Sequence, residues 1–457
     1  MIVSGDLNEK PYFCSMPQNR TYLKKIRTIQ LVAIVFFTVS GGPYGLEPLL
    51  DYAGDHAAFL VLLITPLLWD VPAIFTVLEL NAMMPITGGY YKWVRYALGN
   101  KMGFYEGWWT WLYTFVDLAV YPILFLQYAS FLFPELAPYK IPVCLLVIWI
   151  SAGLNILGIL SVGRTALVLG ALVLTPFLIL FGLFFYHHAG AMAIPHQTLQ
   201  GTPFPSLSMA LYTVMWNCLG WDNTTTYAEE VEKPIRSYLI STFSALGLLM
   251  VVYCLAIWVA QASGIKHSVF TNDGFPAVAT MVAGRWLGIL VAIGGMASAL
   301  GIYAAVLLSV SRVPQVMSED SLLPVHFTRL HKLFQTPYIS IITCSVTVSL
   351  MILWTFADLL IIDVTVYGAG LALEYIALIK LRIREPHATR PFKIPLSTGW
   401  LIAALILPAS VYFIALSGAV VTSEETIKPA IFAIVALLSA EAAWQLLKLR
   451  KAKPQTI

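Results

Sequence analysis

Charge is what this chain has least of. Asp, Glu, Lys and Arg make up only 11% of its 457 residues, where a soluble domain carries about a quarter. Hydrophobic residues reach 59% and the mean hydropathy is +0.78, which excludes a soluble domain of this length. No Lys/Arg-rich stretch with interleaved aromatics occurs, so there is no nucleic-acid footprint. The cysteines Cys14, Cys144, Cys218, Cys254 and Cys344 are scattered without CxxC spacing, which suits buried thiols better than a disulfide framework or a metal site. HExxH, nucleophile-elbow and Walker patterns are missing, as is a selectivity-filter repeat, so neither an enzyme nor a channel is expected, and no cofactor or metal. The N-terminus lacks a short apolar core followed by a small-residue cleavage site. The first span is therefore expected to stay in place as a signal anchor.

What the chain does have is long apolar runs. Several exceed the 18 residues needed to cross about 30 Å of hydrocarbon as helix, and a closed barrel would need short alternating strands instead. The sequence predicts an all-α membrane protein with twelve transmembrane helices, near 24–50, 57–83, 102–133, 141–160, 163–187, 205–229, 238–262, 277–311, 338–356, 359–380, 398–420 and 429–448. A cytoplasmic tail (1–23) precedes one membrane domain (24–450), and a second tail (451–457) follows. Basic residues set the orientation. With the N-terminus inside, all of the 27 Lys and Arg fall on the cytoplasmic side except Lys140, Lys266, Arg285 and Lys428. Both termini are thus expected in the cytoplasm of a cell carrying this protein in its cell membrane.

Two spans are interrupted. "SGGPYG" (Ser40 to Gly45) spoils the first, since Gly costs a helix about 1 kcal/mol and Pro about 3. "MWNCLGWDNTTTYAEE" (Met215 to Glu230) spoils the sixth. Irregular backbone at membrane depth survives only where protein or a wet cavity surrounds it, and paired interruptions in two halves point to a carrier with inverted repeats, about 24–187 and 205–380 with two helices appended. A freed helix N-terminus attracts an anion, and freed carbonyls attract a cation. A Pro/Gly kink used only for packing is the alternative for each break taken singly.

Five carboxylates fall within apolar runs: Glu47, Asp70, Glu79, Asp117 and Asp222. Each costs about 2.5–3.5 kcal/mol at a helix centre and needs a partner or a wet cavity. No basic residue sits mid-span to pair with them, which suits a site for an amine, a metal ion or a proton. Asp222, in the second break beside Trp221 and Trp216, is the leading candidate, followed by Glu47 and Asp117. Glu79 is open between a structural and a functional role, and Asp70 reads as a cap for backbone donors freed by Pro72. Aromatics such as Trp108, Trp109, Trp111, Tyr227 and Tyr367 read as interfacial belt or core. An ammonium over a ring gains about 0.5–2 kcal/mol, which adds Tyr44, Trp216, Trp221 and Tyr303 to the candidates. His187, His188 and His196 fit no metal motif and read as loop residues.

The segments "VSGGPYGLE", "PITGGYYKWVRYALG", "GFYEGWWTW", "GWDNTTTYAEEVEKP", "LGIYAAVLLSVSRVPQVMSEDSLLP" and "LEYIALIKLRIREPHATRPFKIPL" resemble the amino acid–polyamine–organocation (APC) superfamily. More narrowly, they resemble its branch of plant and protozoan polyamine uptake transporters. The resemblance implies a five-plus-five inverted repeat with broken helices 1 and 6, and substrate held between spans one, three, six, eight and ten. Trp216 and Asp222 match a tryptophan and an acid, six apart, that bind amine or sense protons in related exchangers. Pro43 and Glu47 stand near where amino-acid carriers often read Gly-Ser-Gly, which favours an amine. Tyr303 is followed by Ala304 where polyamine members carry an acid, and span five lacks the lysine that replaces sodium in some proton-coupled relatives, so the coupling ion stays open between a proton and sodium. The expected substrate contacts are Ser40, Gly41, Gly42, Tyr44, Gly45, Glu47, Asp117, Trp216, Trp221, Asp222 and Tyr303, with Glu47 and Asp222 as proton-coupling candidates. The expected function is secondary uptake of a cationic amine, a polyamine above all, in the lipid bilayer. A neutral or cationic amino-acid permease or exchanger, and a carrier-like sensor, are the alternatives.

Overall fold

The structure, a computed structural model, describes residues 25–187, 197–354, 356–421 and 424–452. The expected tail 1–23 with Lys10, Arg20 and Cys14, together with Lys24, His188, His196 and Lys453, lies outside the described residues. Among these residues there is no strand, and the only bridge joins Ile26 to Val231. The helices are, in order, α1 (Thr28–Val39), α2 (Pro48–Thr65), α3 (Val71–Met83), α4 (Gly89–Leu98), α5 (Asn100–Leu132), α6 (Lys140–Ile156), α7 (Ile159–His187), α8 (Phe204–Trp216) and α9 (Pro234–Ala262). They continue with α10 (His267–Ala283), α11 (Arg285–Val310), α12 (Arg312–Glu319), α13 (Tyr338–Met351), α14 (Phe356–Arg384), α15 (Thr398–Ala404), α16 (Ile406–Val421) and α17 (Glu424–Ala452).

Among the described residues, nine helical stretches are long and apolar enough to cross a membrane, and α1 and α13 are shorter apolar helices. Burial is sorted accordingly. Leu178, Val251, Leu350 and Leu438 are each more than half exposed, while Glu47, Asp70, Glu106, Asp117, Asp222, Asp363 and Glu374 are buried. A periphery of large apolar side chains around polar groups kept inside is the arrangement lipid requires. One expected span begins elsewhere: the run 277–311 is divided at Gly284, whose φ of +91° ends α10 before α11 starts at Arg285.

Both breaks are real, and their sequence explains them. In α1 the amides of Ser40 and Gly41 both turn back to the Phe36 carbonyl at 2.9 Å, and the chain leaves the helical region at Gly41 (φ +65°). A side chain there would start 2.4 Å from Ile302 Cγ1 on α11, so both the backbone angle and the space demand glycine. Pro48 then opens α2, where its missing N–H costs nothing. The second break follows α8: residues 217–222 are non-helical before the short 3-10 helix Asn223–Glu230. Gly220 (φ +89°) makes that turn, and a Cβ there would lie 3.1 Å from the Thr38 carbonyl at the end of α1. Beyond it, Ile26 exchanges backbone hydrogen bonds of 3.0 Å with Glu230 and Glu232, tying the start of α1 to the end of the second break.

Candidate substrate and cation site

The two breaks meet. Asn217 Nδ2 donates to the Gly45 carbonyl at 3.0 Å, and the Trp216 ring lies where a Gly45 Cβ would be. The Tyr253 hydroxyl of α9 lies 2.8 Å from both Ser40 Oγ and the Asn217 carbonyl.

Against the second break, α5 and α14 present a ladder of acids and tyrosines. On α5 the rungs are Glu106, Tyr113 and Asp117; on α14 they are Asp363, Tyr367 and Glu374. Eleven residues are about three turns and about 16 Å of helix, so each set shares one face. The helices run in opposite directions, and the spacings, seven then four against four then seven, bring like rungs together. At one end Asp117 faces Asp363, with the Trp216 indole in polar reach of both carboxylates. Tyr121 donates to Asp117 in a short hydrogen bond and stacks its ring on Trp216, centroids 6.0 Å apart. In the middle Tyr113 and Tyr367 meet edge-on at 5.3 Å. The Tyr113 hydroxyl donates to Asn223 Oδ1 at 3.0 Å, and that of Tyr367 donates to Asp222 Oδ1 at 2.9 Å while accepting from the Gly220 amide at 3.4 Å. At the other end Glu106 packs on Gly370, whose Cβ would lie 3.2 Å from its Oε1, and Glu374 comes within polar reach of Asp222.

Of the expected residues, Asp117, Trp216 and Asp222 line this ladder, and Ser40, Gly41, Gly42 and Gly45 form the first break beside it. The others go elsewhere. Glu47 accepts from the Gly45 amide and the Tyr128 hydroxyl, each at 2.6 Å, and braces the bend. Tyr44 donates to the Val291 carbonyl at 2.7 Å and packs edge-on against Tyr128 and Phe177. Trp221 donates to Asp70 Oδ1 at 3.1 Å. Asp70 therefore holds an indole and makes no cap at the start of α3. Tyr303 is buried on α11 beside Cys344 and Ser345 of α13, away from the acids.

Glu79 is not part of the ladder. Its two oxygens meet Arg382, with Nε to Oε1 at 2.8 Å, while Oε2 also accepts from the Ile394 amide and Arg390 Nε stands 3.4 Å from Oε1. No basic residue sits mid-span, but the last turn of α14 and the chain after it return two arginines to Glu79, which makes its open role a structural one. Sequence reasoning missed Glu106, Asp363 and Glu374. The signal available was the reversed Glu-Tyr-Asp and Asp-Tyr-Glu spacing on two helices.

The amino acid permease family matches residues 26–438. The chain belongs to that family. As a permease it is a multi-pass membrane transporter rather than an enzyme. It is similar to the polyamine transporter PUT1 of Oryza sativa subsp. japonica, 30% identical over 423 residues, which cover 91% of this chain and 76% of that protein. It is also 30% identical to the polyamine transporter RMV1 of Arabidopsis thaliana, over 82% of this chain and 76% of the relative. An uncharacterized transporter of Legionella pneumophila is 25% identical over 378 residues, 74% of this chain and 76% of the relative.

Proposed function

We propose that this permease is a secondary carrier that brings a small cationic amine, a polyamine above all, across the cell membrane by alternating access coupled to protons. Twelve crossings with two inverted repeats and both termini in the cytoplasm complete the reading. The observation that carries it is the Asp117–Asp363 pair: two buried carboxylates on facing helices, with Trp216 at the unwound segment between them. Such a pair attracts an ammonium group, and an indole and a phenol (Tyr121) offer faces to its alkyl chain. The similarity to PUT1 and RMV1 supports the same substrate class.

The state of the first break supports an amine over an amino acid. A carboxylate would need the bare amides of Gly41, Gly42 and Gly45. These point instead to Phe36 O at 2.9 Å, Ser40 Oγ at 3.1 Å and Glu47 Oε2 at 2.6 Å. A neutral amino-acid carrier would have to break those bonds on every binding event.

Radiolabelled putrescine and leucine offered to the purified chain in proteoliposomes test the reading. Putrescine uptake that collapses with the membrane potential is expected, since a dication gains about 4.6 kcal/mol per 100 mV, about a thousandfold accumulation. Leucine uptake with no amine uptake overturns it.

A further inference from the structure

The acid ladder has two ends, and amine recognition uses only one. At the other, Glu106, Asp222 and Glu374 form a second buried set. Glu374 is wholly buried and neither of its oxygens has a hydrogen-bond donor, and Glu106 Oε2 has none either. Yet Glu374 lies within polar reach of Asp222. Two carboxylates make a hydrogen bond only when one of them carries a proton. The groups facing these three are Tyr90 of α4, Thr110 and Tyr113 of α5, and Tyr367 and Tyr375 of α14. None of them is a base. An uncompensated buried charge is strongly unfavourable, so three anions in one pocket call for a positive counterpart. Glu79, by contrast, has two arginines.

We propose that Glu106, Asp222 and Glu374 form a cation site distinct from the amine subsite at Asp117 and Asp363, and that its resident is one shared proton. The site rests on the carrier reading above and names where that reading's coupling proton sits. The tyrosine pair Tyr113–Tyr367 separates the two subsites, and Tyr367 touches both: it is one helical turn from Asp363 and donates to Asp222. A cation held at Asp117 and Asp363 raises the electrostatic cost of a proton at the other end of the ladder. Occupancy of one end therefore lowers that of the other. Substrate and proton are linked by charge and not by contact.

Infrared spectroscopy of the full chain in liposomes at neutral pH reads the site without any substrate. The wild type is expected to show the C=O stretch of a buried protonated carboxyl. That band should be lost or shifted in E374Q, in E106Q and in D222N, and should persist in D55N, an exposed acid paired with His267. A wild type without the band, or a band unchanged in all three ladder variants, overturns the site. A band absent until sodium is removed assigns the pocket to sodium and overturns the proton. In a second measurement, a pH dye inside proteoliposomes records protons moved per putrescine, and E374Q is expected to lower that ratio at least tenfold. An unchanged ratio overturns the coupling role. If the wild type carries no amine, the carrier reading fails while the infrared result still decides the site.

Discussion

The permease buries two kinds of acid, and they differ in what the fold gives them. Glu79 receives Arg382, Arg390 and a backbone amide, and Glu230 receives Arg312 through Nε at 2.7 Å and Nη2 at 3.2 Å. Asp117, Asp363, Glu106 and Glu374 receive tyrosines, an indole, a threonine or one another. The same residue types thus serve as struts at the helix ends and as a track of acids along the facing sides of α5 and α14. An ion pair holds structure because both members are present in every state of the protein. The acids of the ladder have no such fixed partner.

Substitutions separate the two kinds. Arg382→Met leaves Glu79 with the Ile394 amide and the more distant Arg390, and a loss of about 3 kcal/mol in stability is expected. Thermal unfolding in detergent should show it, with the double variant carrying Glu79→Gln recovering most of the loss. If the single variant unfolds like the wild type, the strut reading is wrong. Asp363→Asn replaces a buried acid that no base accompanies. Its transport is expected to fall about a hundredfold, or about 2.8 kcal/mol at 1.4 per tenfold, while its unfolding temperature holds or rises. A drop in stability equal to that of Arg382→Met would erase the distinction. Gly41→Ala asks whether the break itself matters: the left-handed backbone costs about 1–2 kcal/mol, before the clash with Ile302, and uptake should fall without loss of either acid set.

The smallest effect concerns the loop end, outside the spanning helices. Burial disfavours the Asp320 charge, but Lys92, Tyr91 and Arg95 outweigh it and hold the carboxyl below its usual range. Lys92 Nζ and Arg95 Nη1 lie 2.6 and 2.5 Å from Oδ2. A depressed folded value means that this contribution is present above the ordinary carboxylate pKa and disappears as pH falls through the lowered one. Asp320→Asn should therefore cost about 1 kcal/mol at neutral pH, and the gap from the wild type should close in acid. A constant gap from neutral to acid pH would deny the ion pair its role.

Much of this was legible from residue order. The breaks were visible because Gly and Pro interrupt a helix whatever surrounds them, and Asp117, Trp216 and Asp222 were placed by their neighbours in sequence. The ladder was not, for a geometric reason. Glu106 lies near one end of the predicted span 102–133 and Asp363 near the start of 359–380, so each reads as an interfacial acid until two antiparallel helices are laid face to face. Glu79 stayed open between two roles for the same reason, because Arg382 follows it by 303 positions. Tyr44 and Trp221 were chosen for proximity to the breaks along the chain, and Tyr303 as an aromatic that could cover an ammonium. Helix rotation, which sequence proximity does not encode, sends them elsewhere.

One phenol carries a mechanical message. Tyr253 stands within hydrogen-bonding distance of both unwound segments at once, and Asn217 stitches them a second time. Segments clasped in this way make one packing unit, and the Tyr113–Asn223 and Tyr367–Asp222 hydrogen bonds fasten that unit to α5 and α14, so that a disturbance at either break reaches the other and both acid-bearing helices.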